Sequence, residues 1–368
     1  MSGDKLYEWI NNTNFIEIYE FVEGESELRG KAKEGNRLIH REDTMINQKK
    51  LEMAFKRYSK NFVDGIKFED VKDKYNVSRR KIEKIVEQNE TEKDHILLIN
   101  LSKISSYHLS LWKNDVLISG GNNVEGLKNM QKVLFYQCMG QDLYTSRYPG
   151  MILGYTFREV VLTLVHFAMY GWEKEENILY DFMTHHFGEH LIDANEEDRH
   201  IWFLLELYLQ YRNKTIMGTN KKLHLAVKNK FKEAELRCGS IPEDLNIYDE
   251  VLERWSTGDL EEIEHLISIM SQYHSALASE IGQLGEFGDF GYGFYPFEIL
   301  FLIHVRKQLG LPVPTQFDNF LMNTPEAKMV FREREPYPEW DPVLQMIDQF
   351  YRKNYPEYIP NKHGELFQ

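Results

Sequence analysis

Proline is the residue that most restricts what this chain can become. None occurs before Pro149, only Pro149, Pro242 and Pro296 precede residue 312, and eight of the eleven fall at or after Pro312. Inside a helix, proline removes a backbone donor and clashes with the preceding turn, at a cost of about 3 kcal/mol. The long proline-free stretch therefore permits helices, and the late cluster marks irregular chain.

Hydrophobic spacing points the same way. Leu51, Ala54, Phe55, Tyr58 and Phe62 recur at helical intervals, as do Leu97, Leu98, Leu101, Ile104, His108 and Trp112. Phe157, Val160, Val161, Leu164 and Ala168 make a third stripe, and Ile201, Leu204, Leu205, Tyr208 and Leu209 a fourth. A fifth runs from Leu260 through Ile263, Leu266, Ile267, Met270 and His274 to Leu277. Such stripes belong to amphipathic helices around a shared core. Val116 to Ser119, before Gly120-Gly121, is the one short strand candidate. The expected fold is all-α, a two-domain helical bundle with an extended proline-rich C-terminal tail. Turn signals around Ser146 to Gly154 place the break, giving an N-terminal helical domain at 1–147 and a C-terminal one at 148–324. The tail, 325–368, is expected to carry one short helix at Val343 to Tyr351 and to pack its aromatics on the body.

With 42% hydrophobic and 28% charged residues, the chain has a globular composition. Met1 to Asn14 lacks the apolar stretch of a secretory signal. Phe294 to Val305 is too short to span a membrane and carries Glu298 and His304. Cys138 and Cys238 are the only cysteines and form no CxxC pair. These features lead us to expect a cytoplasmic protein without cofactor or metal. The net charge of −14 disfavours nucleic acid and favours basic protein partners. A homodimer is also compatible with this composition.

Three constellations could carry chemistry. His186-Phe187-Gly188-Glu189-His190 is an HxxEH string; on a helix, His186 and His190 would share a face and Glu189 could serve as the base of a zinc hydrolase. Gly188 instead reads as a helix stop, which favours a polar helix end. Residues 68–88 look like a helix-turn-helix, with Val71, Tyr75, Val77, Ile82 and Ile85 as its core and Ser78 capping a basic second helix. Lys49 to Lys84 holds 12 Lys or Arg against 6 Asp or Glu, so a DNA-binding regulator is the alternative reading. An ordinary helical pair with a solvated basic face gives the same spacing. The third is an acidic run: Glu173, Glu175, Glu176, Asp181, Glu189, Asp193, Glu196, Glu197 and Asp198, interrupted by Lys174 alone. Part of it suits helix capping; the remainder could imitate phosphate spacing and occupy a basic groove. GxSxG, GxxxxGK[ST] and post-strand GxGxxG motifs are missing, so no catalytic residue is expected.

One stretch resembles a known family. Gly291-Tyr292, then Phe297-Glu298 opening an apolar helix, then Leu309-Gly310-Leu311, resemble the GYW-S-F-E signature of the bacterial immunity proteins that protect against PoNe-type DNase toxins. Trp255 and His274 stand where that family has an upstream tryptophan and histidine. The likeness covers roughly 148–323 and departs at Gly293-Phe294 and at Pro312-Val313-Pro314. It implies a helical protein that binds a cognate nuclease toxin and blocks its DNA-contacting face. The matched residues themselves fit architecture better than a contact surface: Pro296 suits a first helical position, and Glu298, in the first turn among aromatics, needs a buried partner such as His274.

Overall fold

A computed structural model of the chain describes residues 47–120, 124–147, 155–188, 191–283 and 285–368. Among these the protein is all-α, with twelve α-helices, three short 3-10 turns and one parallel pair of two-residue strands. The strands, Tyr155–Thr156 and Ile192–Asp193, bracket two of the helices. Among the described residues, no helix is long and apolar enough to cross a membrane.

The first four helices are α1 (Gln48–Val63), α2 (Gly65–Glu87), α3 (His95–Ser119) and α4 (Glu125–Arg147). Asn47 caps α1, its side chain accepting from the Lys50 amide at 3.2 Å. The expected stripe of Leu51, Ala54, Tyr58 and Phe62 then faces inward. Two expectations fail here. Val116 to Ser119 is no strand but the last turn of α3, which runs unbroken until Gly120 closes it at φ +87°. Residues 68–87 are one continuous helix without a turn, and Ser78 is buried in mid-helix where a cap was expected. No glycine or proline lies between Gly65 and Gly120 to break the helix, and the chain leaves it only near Asn89, at φ +48°.

α3 and α4 make the most extensive helix–helix contact among the described residues. A Cβ on Gly126 would lie 2.6 Å from the Trp112 amide nitrogen and 2.8 Å from its Cβ, so only glycine allows this approach. α4 packs against α3, α5 and the C-terminal helix, and most of its residues are buried, Gln131 and Lys132 among them.

The next helices are α5 (Phe157–Tyr170), α6 (Glu173–His186), α7 (Arg199–Arg212), α8 (Leu223–Glu233), α9 (Ile247–Arg254), α10 (Leu260–Ala278) and α11 (Phe297–Gln308). α12 (Pro342–Asn354) follows a long irregular strap. Asp341 caps α12 by accepting from the amides of Val343 at 2.8 Å and Leu344 at 3.1 Å, with Pro342 in the first turn. The strap is stitched to the α5–α6 turn: Glu335 donates its amide to the Tyr170 carbonyl, and Trp172 donates Nε1 to the Glu335 carbonyl, both at 2.9 Å. One contiguous core runs from Leu51 to Phe367. Residues 148–154, where the domain break was expected, lie outside the described residues.

Candidate functional site

The acidic run divides between interior and surface. On α6, Glu175 and Glu176 share a helical face with Ile178, Leu179, Phe182 and Met183, so they turn inward with them. Glu176 accepts from Arg212 Nε at 2.8 Å, Arg212 Nη2 at 2.6 Å and the Tyr208 hydroxyl at 2.9 Å. Glu175 accepts from the Phe367 amide at 2.7 Å and the Tyr337 hydroxyl at 2.9 Å. Both are internal ties, which corrects their expected place on a partner-facing surface.

On the loop before α7, Asp193 accepts from the Asn195 amide at 2.9 Å, and Glu196 accepts from the amides of Glu197 at 2.9 Å and Asp198 at 3.0 Å. Asp198 lies 3.7 Å from Arg158. Burial and the nearby Glu196 push its carboxyl up to about 7. Glu173, Asp181, Asp193 and Glu197 remain exposed. Glu189 lies outside the described residues.

Of the residues matched by resemblance, His274, Phe297 and Glu298 belong to a buried node, and Trp255, Gly291 and Tyr292 are half-buried. His274 sits between Glu298 Oε1 at 2.8 Å and the Gly293 carbonyl at 3.0 Å, and both side chains of the pair are fully buried. The His274 ring stacks on Phe287 at 3.6 Å, and His200 stacks on the same phenyl at 4.2 Å. Glu286 accepts from the His200 amide at 2.7 Å and from the Tyr273 hydroxyl at 3.0 Å. Burial lowers His200 to about 4 and raises Glu286. Burial also pushes the Asp289 carboxyl up, but Arg158, at 2.6 Å, and the amides of Tyr292 and Gly291 hold it below its ordinary value.

Tyr292 lies under the Arg158 guanidinium, 5.4 Å from ring centre to charge. A Cβ on Gly293 would come within 2.4 Å of Ile281 Cδ1 and 2.6 Å of the Asp289 carbonyl, so the loop folds back too tightly for any other residue. Pro296 occupies the N-cap, one position earlier than expected, and Phe297 and Glu298 open α11, both buried. Trp255 donates Nε1 to Gln210 on α7 at 2.9 Å. The node fixes the 285–293 loop on α7, α10 and α11.

α6 ends at His186, Phe187 is extended and Gly188 turns the chain at φ +74°. The helix thus ends at His186, as the glycine stop was expected to make it do near this point. His186 Nε2 pairs with Asp142 at 2.9 Å. Glu189 and His190 lie outside the described residues. Among those described, no three His, Cys, Asp or Glu side chains are placed to hold a metal.

Sequence reasoning missed a cleft of about 400 Å³ bounded by the α5–α6 turn, the C-terminal ends of α7 and α11, and the strap. Its lining includes Glu173, Tyr211, His304, Gln308, Glu333 and Tyr337. Only Glu173 carried a sequence signal, because four segments far apart in the chain build the rest. The buried pairs Lys113–Glu326 and His108–Asp341 were missed for the same reason. No known family model, curated protein or solved structure matches this chain.

Proposed function

We propose that the protein is an immunity protein that binds a cognate bacterial DNase toxin and blocks its active or DNA-contacting face. On this reading it acts in the cytoplasm, where an invading nuclease meets DNA, and it works by occlusion without catalysis. The observation that carries the reading is the set of carboxylates left outward on α6 and the loop after it: Glu173, Asp181, Asp193 and Glu197. The net charge of −14 and the resemblance of Gly291, Tyr292, Phe297 and Glu298 to the immunity signature support it. A DNA-binding face is necessarily basic. Complementary charge accelerates encounter with such a face, and a few desolvated anchors then set the dissociation rate.

The test begins with the tagged chain as bait in its native host and mass spectrometry as readout. One stoichiometric partner with a nuclease domain is expected, and equimolar chain should abolish its cleavage of plasmid DNA. Charge reversal at Glu173, Asp193 and Glu197 should slow association and flatten its salt dependence. Recovery of no nuclease, or of one that still cuts DNA at full rate in the complex, would sink the reading.

A further inference from the structure

The cleft beside α6 contains groups whose arrangement suits one particular visitor. Three of its cations are already engaged: Arg212 is clamped by Glu176 at 2.8 and 2.6 Å, Lys174 donates to the Glu365 carbonyl at 2.7 Å, and Arg334 lies beside the Tyr337 hydroxyl. Glu173 and Glu333, by contrast, are exposed and make no hydrogen bond or ion pair among the described residues. Two abutting segments hold them at the same opening. A Cβ on Gly171, at φ +68°, would lie 3.0 Å from the Glu333 carbonyl, so the α5–α6 turn rests directly on the strap. Burial, with help from Arg212 and Lys307, lowers His304 to about 4, which leaves a neutral ring at neutral pH.

From this geometry we infer that the cleft receives an arginine side chain of a basic protein partner. The inference rests on the partner-binding reading above and goes beyond it by naming the contact. Glu173 and Glu333 present unpaired carboxylates, and planar guanidinium is the cation best suited to carboxylate oxygens. Tyr211 and Tyr337 line the cleft as aromatic walls, and the Tyr211 ring already holds the Arg212 guanidinium 4.8 Å from its centre. Aromatic residues and arginine are the side chains on which interface energy concentrates.

The test uses the full chain and a fluorescein-labelled tri-arginine peptide, read by anisotropy at near-physiological salt. The double variant E173Q/E333Q should bind at least tenfold more weakly, the range of a close charge pair across an interface. The control E253Q/E264Q removes two exposed carboxylates outside both the cleft and the proposed interface and should stay within about twofold of the parent. R334Q removes the resident competitor and should bind more tightly. Far-UV circular dichroism and the thermal midpoint confirm that each variant is folded. Equal losses in the two double variants would reduce the effect to net charge and overturn the cleft. So would an unchanged E173Q/E333Q. If the peptide result holds but a captured nuclease binds E173Q/E333Q as well as the parent, the cleft survives and its assignment to that partner falls.

Discussion

Glu326→Ala should be among the most damaging single substitutions in this protein. Lys113 and Glu326 form a salt bridge in which both side chains are fully buried. Tyr58 donates its hydroxyl to Glu326 Oε1 at 2.7 Å and accepts from Lys113 Nζ at the same distance. Lys113 also lies 3.7 Å from the centre of the Trp112 ring. Burial lowers its pKa despite the facing carboxylate. Removing one partner of a buried pair leaves an uncompensated charge, at about 3–5 kcal/mol. Unfolding entropy of about 2 cal/mol/K per residue scales to roughly 0.8 kcal/mol/K over 368 residues, so the midpoint should fall by about 4–6 °C. The pair also ties α1 and α3 to the strap, so the loss should appear in denaturant titration as well as in thermal scans. The double variant K113M/E326L replaces both charges with apolar groups of similar volume and should recover most of the loss. A single variant costing under about 1 kcal/mol, or a double variant as damaged as the single, would refute this account of the pair.

Other outcomes follow from buried groups and close contacts. Lys132 Nζ has no hydrogen-bond partner among the described residues, lies 3.4 Å from the Trp340 ring centre, and is lowered by burial from 10.5 to about 7. A base with a depressed folded pKa contributes stability above 10.5 that is lost as pH falls toward 7; K132M should therefore gain on the parent by a few kcal/mol between pH 9.5 and 7, and parallel urea curves would exclude this. His166 and His200 are both lowered by burial from 6.5 to about 4. Their contribution is complete above 6.5 and disappears as pH falls through 4, so acid unfolding should steepen in that window and H200Q should show a shallower slope. Gly126→Ala forces a methyl against Trp112 and should cost about 1–3 kcal/mol in chemical denaturation, whereas Gly258→Ala, with nothing within 4 Å, should cost far less.

Much of the helical framework was legible because helix signals are local. The stripes of α1, α3 and α10 state which side of each helix turns inward, whereas α5 and α7 are buried nearly all round, and Asp259, accepting from the Glu261 amide at 2.9 Å, is a cap readable from sequence. The short helix expected at Val343 to Tyr351 lies within α12. Sequence also paired His274 with Glu298, because a carboxylate placed among aromatics requires a partner.

What local pattern could not decide was the fate of the charges. Residues 68–88 have the spacing of a helix pair, yet the same spacing fits one straight helix, and only the absence of a breaker separates the two. Glu175 and Glu176 look like surface acids until Arg212, Tyr208, Tyr337 and the Phe367 amide are brought to them. α4 reads as polar but passes through the centre, where Lys128 reaches the Pro336 carbonyl at 2.9 Å and Lys132 meets Trp340. The cleft at Glu173 and Glu333 arises only when two segments 160 positions apart abut at Gly171. Helix periodicity depends on neighbours within a few residues, so the chain alone determined where helices form. Whether a charged side chain ends in water or in a buried pair depends on groups supplied from elsewhere, and that only the tertiary packing decided.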